Sequence, residues 1–325
     1  MKHSDIFEYY RQDLLRVEEE LIGTFRGASS LLPVIGLHIL KSGGKRLRPM
    51  FLLASADLCG AKGDNRFLLA AIIEAIHTAS LLHDDVIDNA KTRRGIPSAN
   101  SKWGNQTVIL VGDYLYSNAL RLAVAEQNQA IMAALAEATT KMTEGEILQL
   151  EKTANPNITV DDYFQIIAGK TGVLISAACK IGAIISDKGP EAEQRLAEFG
   201  LKTGMAFQLV DDVLDYSAQQ EKLGKKLGKD LEEGKITMPL ILLLQKASEE
   251  EKGEVKNIIG QASSGKKRTL KRIVELFSIY DCIGESMKIA SDFVNQAKGL
   301  LDIFKPSEHK ERLITLAEYS LRRQR

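Results

Sequence analysis

The sequence predicts an all-α protein, and three observations carry that prediction: where the prolines fall, how apolar residues are spaced between them, and how scarce alternating β-branched runs are. Only seven prolines occur, and most stand where a periodic segment begins or ends, the positions a residue with fixed φ and no amide hydrogen tolerates best. Between them, apolar residues recur at intervals of three and four. Leu68, Ala71, Ile72, Ala75, Ile76 and Ala79 are one such series.

Taken in order, helices are expected over 4–22, 30–41, 47–59, 65–90, 105–125, 128–152, 160–186, 190–217, 236–247, 267–280, 281–303 and 308–322. The Gly- and Lys-rich stretch 217–235 is expected to be a long loop, of the kind that often covers a site. No linker, low-complexity tract or shift in composition divides the chain, so one domain over 1–325 is the expectation.

Composition narrows the function. With 44% hydrophobic residues the chain has ample material for a large core. Its 43 basic and 43 acidic residues cancel, which argues against a nucleic-acid-binding surface and makes charge a local matter. Cys59, Cys179 and Cys282 are odd in number and far apart, so neither a disulfide framework nor a zinc site is expected, and a reducing cytoplasm fits. Residues 1–16 are polar, and the most apolar later run, 172–186, is interrupted by Lys180. Neither a signal peptide nor a membrane span is expected.

The chemistry is concentrated in a pattern that occurs twice: Asp84-Asp85-Val86-Ile87-Asp88 and Asp211-Asp212-Val213-Leu214-Asp215. In a helix, residues four apart share a face, so Asp84 stacks on Asp88 and Asp211 on Asp215. Like charges so placed repel unless something neutralises them. Closely spaced carboxylates suit Mg²⁺, which takes a few of them and fills its other positions with water and substrate phosphates. A single copy reads as a solvated helix end; two copies, each behind an apolar stretch, point to a bound diphosphate.

Cations stand where a diphosphate needs them. Gly43-Gly44-Lys45-Arg46-Leu47-Arg48-Pro49 joins two glycines to three cations, and Arg93 and Arg94 follow the first acids. Arginine suits two-pronged phosphate contact and lysine supplies a point charge. Lys225, Lys229 and Lys235, set among glycines, follow the second acids. His77 lies two helical turns before Asp84 on the same face.

These residues resemble the trans-type polyprenyl diphosphate synthases, from Gly43 to Pro239 in motifs and beyond in character. The resemblance implies an isoprenoid-synthase-type helical bundle around a central apolar cavity. It implies condensation of isopentenyl diphosphate with an allylic diphosphate such as farnesyl diphosphate. It assigns Mg²⁺ to Asp84, Asp88 and Asp211, with Asp85, Asp212 and Asp215 in support, and counts Lys170 and Lys225 with these six in the catalytic set. Arg93, Lys170, Thr171, Gln208, Lys225 and Lys235 resemble further contacts to the allylic diphosphate. Lys45, Arg48, His77 and Arg94 resemble the isopentenyl diphosphate site. Glu144-Gly145-Glu146 and Gln149 also match the family pattern, with no step assigned. Phe207 and Ala79 are expected in a dry apolar wall beside the allylic cation, and the departing diphosphate is expected to take the proton.

Product length turns on Ala79 and Ser80, whose small side chains leave the helix before Asp84 unplugged. From Arg66 to Asp84 is 84 − 66 = 18 residues, or about 27 Å of helix, room for on the order of six extended prenyl units. A long all-trans product, octaprenyl for a quinone side chain, is the expectation. A geranylgeranyl or farnesyl product, and a subunit active only with a partner chain, are the alternatives. A terpene cyclase is disfavoured, because it needs no counterpart of Lys45 and Arg48. The resemblance further implies a homodimer. Lys266-Lys267-Arg268 and Arg322-Arg323-Gln324-Arg325 suit solvated helix ends, or transient contact with a membrane where product is released.

Overall fold

The structure, a computed structural model, describes residues 3–216, 228–260 and 267–322. Lys225, most of the expected loop 217–235, Lys266 and the terminal Arg323-Gln324-Arg325 lie outside the described residues.

Among the described residues the only strands form one short hairpin, and the rest of the regular structure is helical. In chain order the helices are α1 (His3–Tyr9), α2 (Arg11–Thr24), α3 (Leu31–Lys41), α4 (Leu47–Cys59) and α5 (Asn65–Ile87). The hairpin strands β1 (Thr92–Arg93) and β2 (Ile96–Pro97) follow, then α6 (Ala99–Trp103), α7 (Asn105–Ala125), α8 (Gln129–Lys152) and α9 (Val160–Ile167). A π-turn, Ala168–Gly172, leads into α10 (Val173–Ile184) and α11 (Pro190–Leu214). Last come α12 (Lys229–Glu232), α13 (Met238–Lys246), α14 (Glu249–Gly260), α15 (Lys267–Ile279), α16 (Cys282–Leu300) and α17 (Glu308–Leu321).

Three expected segments differ, and the hairpin, α6 and α14 stand where no element was expected. The first helix breaks at Tyr10, whose buried hydroxyl donates to Asp57 Oδ2 at 2.9 Å. The expected helix 160–186 contains the π-turn. Part of the expected loop is the short α12, and α14, which the apolar pattern leaves unmarked, is a helix with only Val255 and Ile259 buried. Two buried residues make too thin a stripe to register as periodicity.

The residue contacts resolve into two compact units, one formed by residues 1–139, 174–200 and 303–316, the other by residues 140–173, 201–302 and 317–325. In the first, α5 packs against α2, α4 and α7. Ala79 and Leu82 join Phe25, Leu32, Ile35, Val108, Val111 and Leu115 in one buried cluster. Each large aliphatic side chain so enclosed stabilises the fold by about 1.5–3 kcal/mol. Gly112 of α7 leaves room for the His83 ring of α5, since a Cβ there would lie 2.3 Å from His83 Nε2. In the second unit, Phe164 meets the edge of Phe293 at 5.3 Å between ring centroids, and Tyr216 meets Phe277 at 5.0 Å.

By length and composition alone, α5, α7 and the run Val160–Ile184 match helices that cross membranes, which the sequence reading did not expect. The apolar windows of α5 and of Val160–Ile184 are 67% and 72% buried within the protein, so most of that hydrophobicity serves the core.

Candidate active site

In the first unit, the end of α5 delivers the first acid motif. Asp84 and Asp88 fall one turn apart and are half-buried, while Asp85 is buried. The Asp88 N–H closes the helix onto Asp84 O at 2.8 Å. Asp85 is held by Arg93, which donates from Nε at 3.0 and 2.9 Å to its two oxygens and from Nη2 at 2.8 Å.

Arg93 reaches back because the chain reverses in a two-residue turn. Arg94 and Gly95 have φ of 51° and 81°, the paired positive values of the turn whose twist matches a hairpin. Neighbouring arginines are thereby separated. Arg93 turns to Asp85, and the Arg94 guanidinium lies against Gly44, where a Cβ would sit 2.8 Å from its Nη1.

A pocket opens beside this hairpin, with about 510 Å³ of empty space counting its open mouth, lined among others by Gly43, Arg46, Glu74, His77, Asp85, Arg93 and Arg94. Leu81, Leu82 and Ile96 supply its apolar wall. The His77 imidazole is held well below its usual pKa, first by burial and then by the nearby charges of Arg48, Arg94, Arg93 and Arg46. It is therefore a neutral hydrogen-bonding group in a cationic pocket. Lys45 is exposed and Arg48 half-buried at the start of α4.

In the second unit, the end of α11 carries the second acid motif. Asp212 is buried, accepting from Tyr163 Oη at 2.7 Å and from Gln208 Nε2 at 2.8 Å. Burial and the carboxylate of Asp230 push its pKa well above the usual range, while the two hydrogen bonds pull the other way. Asp215 is also buried and accepts from the backbone N–H of Asp230 at 3.0 Å. Asp211 is half-buried.

Lys170 and Thr171 sit on the π-turn, whose extra residue shows as the Val173 N–H bonding to Ala168 O five residues back. Glycines allow the turn to lie close to its neighbours: a Cβ on Gly169 would be 2.8 Å from Gly145 Cα, and one on Gly204 2.6 Å from Gly172 Cα. Lys170 Nζ meets Glu146 Oε1 at 3.1 Å and Gln149 Oε1 at 3.4 Å. Thr171 Oγ1 donates to Gln208 Oε1 at 2.6 Å, which completes a chain from Thr171 through Gln208 to Asp212. Lys235 bonds to Glu233 at 2.7 Å.

The donor chemistry fits a hard divalent cation. In each motif the second acid is bound to protein groups, Asp85 to an arginine and Asp212 to a tyrosine and a glutamine, while Asp84, Asp88 and Asp211 retain some exposure. Among the described residues no three His, Cys, Asp or Glu side chains converge closely enough to hold a cation unaided. Magnesium commonly takes one or two carboxylates and completes its shell with water and substrate phosphate.

Three expected residues find settings that the sequence did not indicate. Ala79 is packed in the hydrophobic cluster, and Ser80, half-buried, donates to His77 O at 2.8 Å. Arg93 is anchored to the protein. Four residues escaped the sequence reading as site members: Arg46, Glu74, Tyr163 and Asp230. Arg46 and Asp230 stand inside the Gly-Lys motifs; Glu74 and Tyr163 lie in ordinary helical stretches and carry no local signal.

Comparison with known proteins points one way. A sequence-family model described as polyprenyl synthetase matches residues 30–277. The chain is 34% identical over 325 residues, all of both chains, to octaprenyl diphosphate synthase of Escherichia coli (strain K12). It is 32% identical to heptaprenyl diphosphate synthase component 2 of Bacillus subtilis (strain 168), covering 98% of this chain and 90% of that one. A crystal structure of a polyprenyl synthase from Caulobacter crescentus CB15, complexed with calcium and isoprenyl diphosphate, superposes with a TM-score of 0.93 at 34% identity, covering 99% of this chain and 98% of that chain.

Proposed function

The chain belongs to the polyprenyl synthetase family and is a prenyl diphosphate synthase; from that premise we propose that it extends an allylic diphosphate such as farnesyl diphosphate with isopentenyl diphosphate to all-trans octaprenyl diphosphate, for a quinone side chain. The observation that carries this reading is the cationic pocket against α5, where neutral His77 and Arg94 stand beside the first acid motif.

Lys45, Arg48, Arg94 and His77 are assigned to the diphosphate of isopentenyl diphosphate. Three cations meet its charge, and a neutral imidazole adds a directed hydrogen bond without raising the positive charge further. Lys170, Thr171, Gln208, Lys225 and Lys235, with Arg93, are assigned to the allylic diphosphate. Groups held beforehand by Glu146 and Asp212 are already oriented when charge builds on the leaving diphosphate, which is where such donors lower the barrier. Asp84, Asp88 and Asp211 are assigned to Mg²⁺, which when bound supplies Lewis acidity to the leaving group. Leu81, Leu82 and Ile96 keep the pocket wall apolar. The proton lost after condensation is assigned to the departing diphosphate, as the family resemblance implies.

Ala79 and Ser80 are proposed to set product length, by leaving the wall one turn before the acids unplugged. The relatives' names support a long product, since they specify octaprenyl and heptaprenyl diphosphates. A second reading is favoured by one of those names: a protein called component 2 suggests a catalytic chain that works with a partner. A homodimer, a cytoplasmic location and transient membrane contact on product release are the remaining parts of the proposal.

The test is incorporation of labelled isopentenyl diphosphate by the purified chain alone. Incorporation that requires both the allylic primer and Mg²⁺, and stops on chelation, supports the reading. No incorporation alone, restored by a second chain, favours the partner reading.

A further inference from the structure

Arg46 stands between two residues assigned to substrate, Lys45 and Arg48, yet its own side chain is turned away from solvent and is 9% exposed. Its backbone is left-handed, with φ 49° and ψ 41°, at the residue preceding α4. A non-glycine residue in that conformation is strained and persists only where its surroundings hold it there.

The surroundings are two carboxylates from two helices. Arg46 Nη1 donates to Glu74 Oε1 on α5 at 3.1 Å, and Nε donates to Glu18 Oε1 on α2 at 3.3 Å. Glu74 is itself buried, 5% exposed. A buried guanidinium is tolerated only when paired in this way, and a planar fork can serve two acceptors at once where an ammonium on a flexible stem cannot hold the same geometry.

The anchor is coupled to the substrate side of the pocket. Glu74 precedes His77 by three residues and so lies on a neighbouring position of the same helix face. Gly44 lies within reach of two guanidiniums: a Cβ there would be 2.8 Å from Arg94 Nη1 and 3.1 Å from Arg46 Nη1. The left-handed turn at Arg46 leaves Lys45 exposed and starts α4, whose first turn presents Arg48.

We propose that Arg46, anchored by Glu74 and Glu18, is a positioning residue for the isopentenyl diphosphate half of the reaction: it fixes the loop that presents Lys45 and Arg48 and does not itself contact phosphate. This rests on the assignment of the pocket made above. Its charge is countered by the carboxylates of Glu74 and Glu18.

The test uses Arg46→Lys and Glu74→Gln in the full chain, with isopentenyl diphosphate binding measured by calorimetry and KM measured separately for each substrate. Both variants should weaken isopentenyl diphosphate binding and raise its KM about tenfold, with KM for farnesyl diphosphate within about twofold of the parent. Both KM values rising in parallel, or neither changing, would overturn the proposal. So would tighter isopentenyl diphosphate binding by Glu74→Gln, because an Arg46 released onto phosphate is a ligand and not an anchor. If Arg46→Lys melts much below the parent, Glu74→Gln, which keeps shape and an acceptor oxygen, decides. A parent protein that binds no isopentenyl diphosphate would sink the pocket assignment and the proposal together, whereas a binding parent with unaffected variants would sink the proposal alone.

Discussion

Tyr163 and Asp212 are joined by a 2.7 Å hydrogen bond in which the buried phenol donates to the buried carboxylate. With Gln208 on the other oxygen, the second acid of this motif is spent on holding the end of α11, and Asp211 beside it is the acid assigned to metal. The two positions should therefore respond differently. Asp211→Asn should lower turnover by orders of magnitude at saturating Mg²⁺. Tyr163→Phe should lower stability by about 1–3 kcal/mol, the cost of leaving a buried acceptor short of a donor, and lower kcat only several-fold. Steady-state kinetics and denaturant melts of both variants check this; equal losses of turnover would contradict the division.

Gly169→Ala tests the π-turn. The new methyl would lie 2.8 Å from Gly145 Cα and 2.8 Å from Lys141 O, both backbone atoms that cannot swing aside. The chain carrying Lys170 must shift, at a cost of about 1–3 kcal/mol. A raised KM for the allylic substrate, with that for isopentenyl diphosphate little changed, is the expected kinetic result.

His77 gives a pH dependence. Folded, its imidazole resists protonation well below the ordinary 6.5; unfolded, it takes up a proton near that value. The unfolded state thus binds more protons below about pH 6.5, and stability present above that pH is lost as pH falls, by up to about 1.4 kcal/mol per pH unit. In urea melts at falling pH, His77→Gln should remove this part of the slope. An identical slope in parent and variant would show that His77 is protonated in the fold.

Position 80 is a better probe of product length than position 79. Ala79 is buried in the cluster that also holds Phe25, Leu82 and Val111, so Ala79→Tyr should overpack the core and cost about 1–3 kcal/mol whatever it does to products. Ser80 is half-buried, and Ser80→Phe should shorten the products seen by chromatography. Unchanged chain length in a folded Ser80→Phe protein would mean that the prenyl chain does not pass this residue.

The helices were legible wherever a broad apolar stripe ran between prolines, as in α5, and the paired acids were legible because like charges at that spacing need a cation. What escaped follows from the same physics. The π-turn at Ala168–Gly172 adds one residue without altering the apolar pattern around it, so 160–186 reads as one helix. Tyr163, whose partner stands 49 residues away, and Glu74, bonded 28 residues back, are defined by tertiary contacts that local spacing does not encode. Arg46 was visible as one of three cations, but not as the one turned inward.

Incubation of the purified chain with Mg²⁺, isopentenyl diphosphate and allylic primers of increasing length, followed by product analysis, reads prenyl transfer, metal need and chain length in one measurement. Metal-dependent elongation of farnesyl diphosphate, ending at octaprenyl diphosphate, is the expected result. Elongation that stops at farnesyl or geranylgeranyl diphosphate would contradict the long-chain assignment, and consumption of the allylic diphosphate without incorporation of isopentenyl diphosphate would contradict prenyl transfer itself.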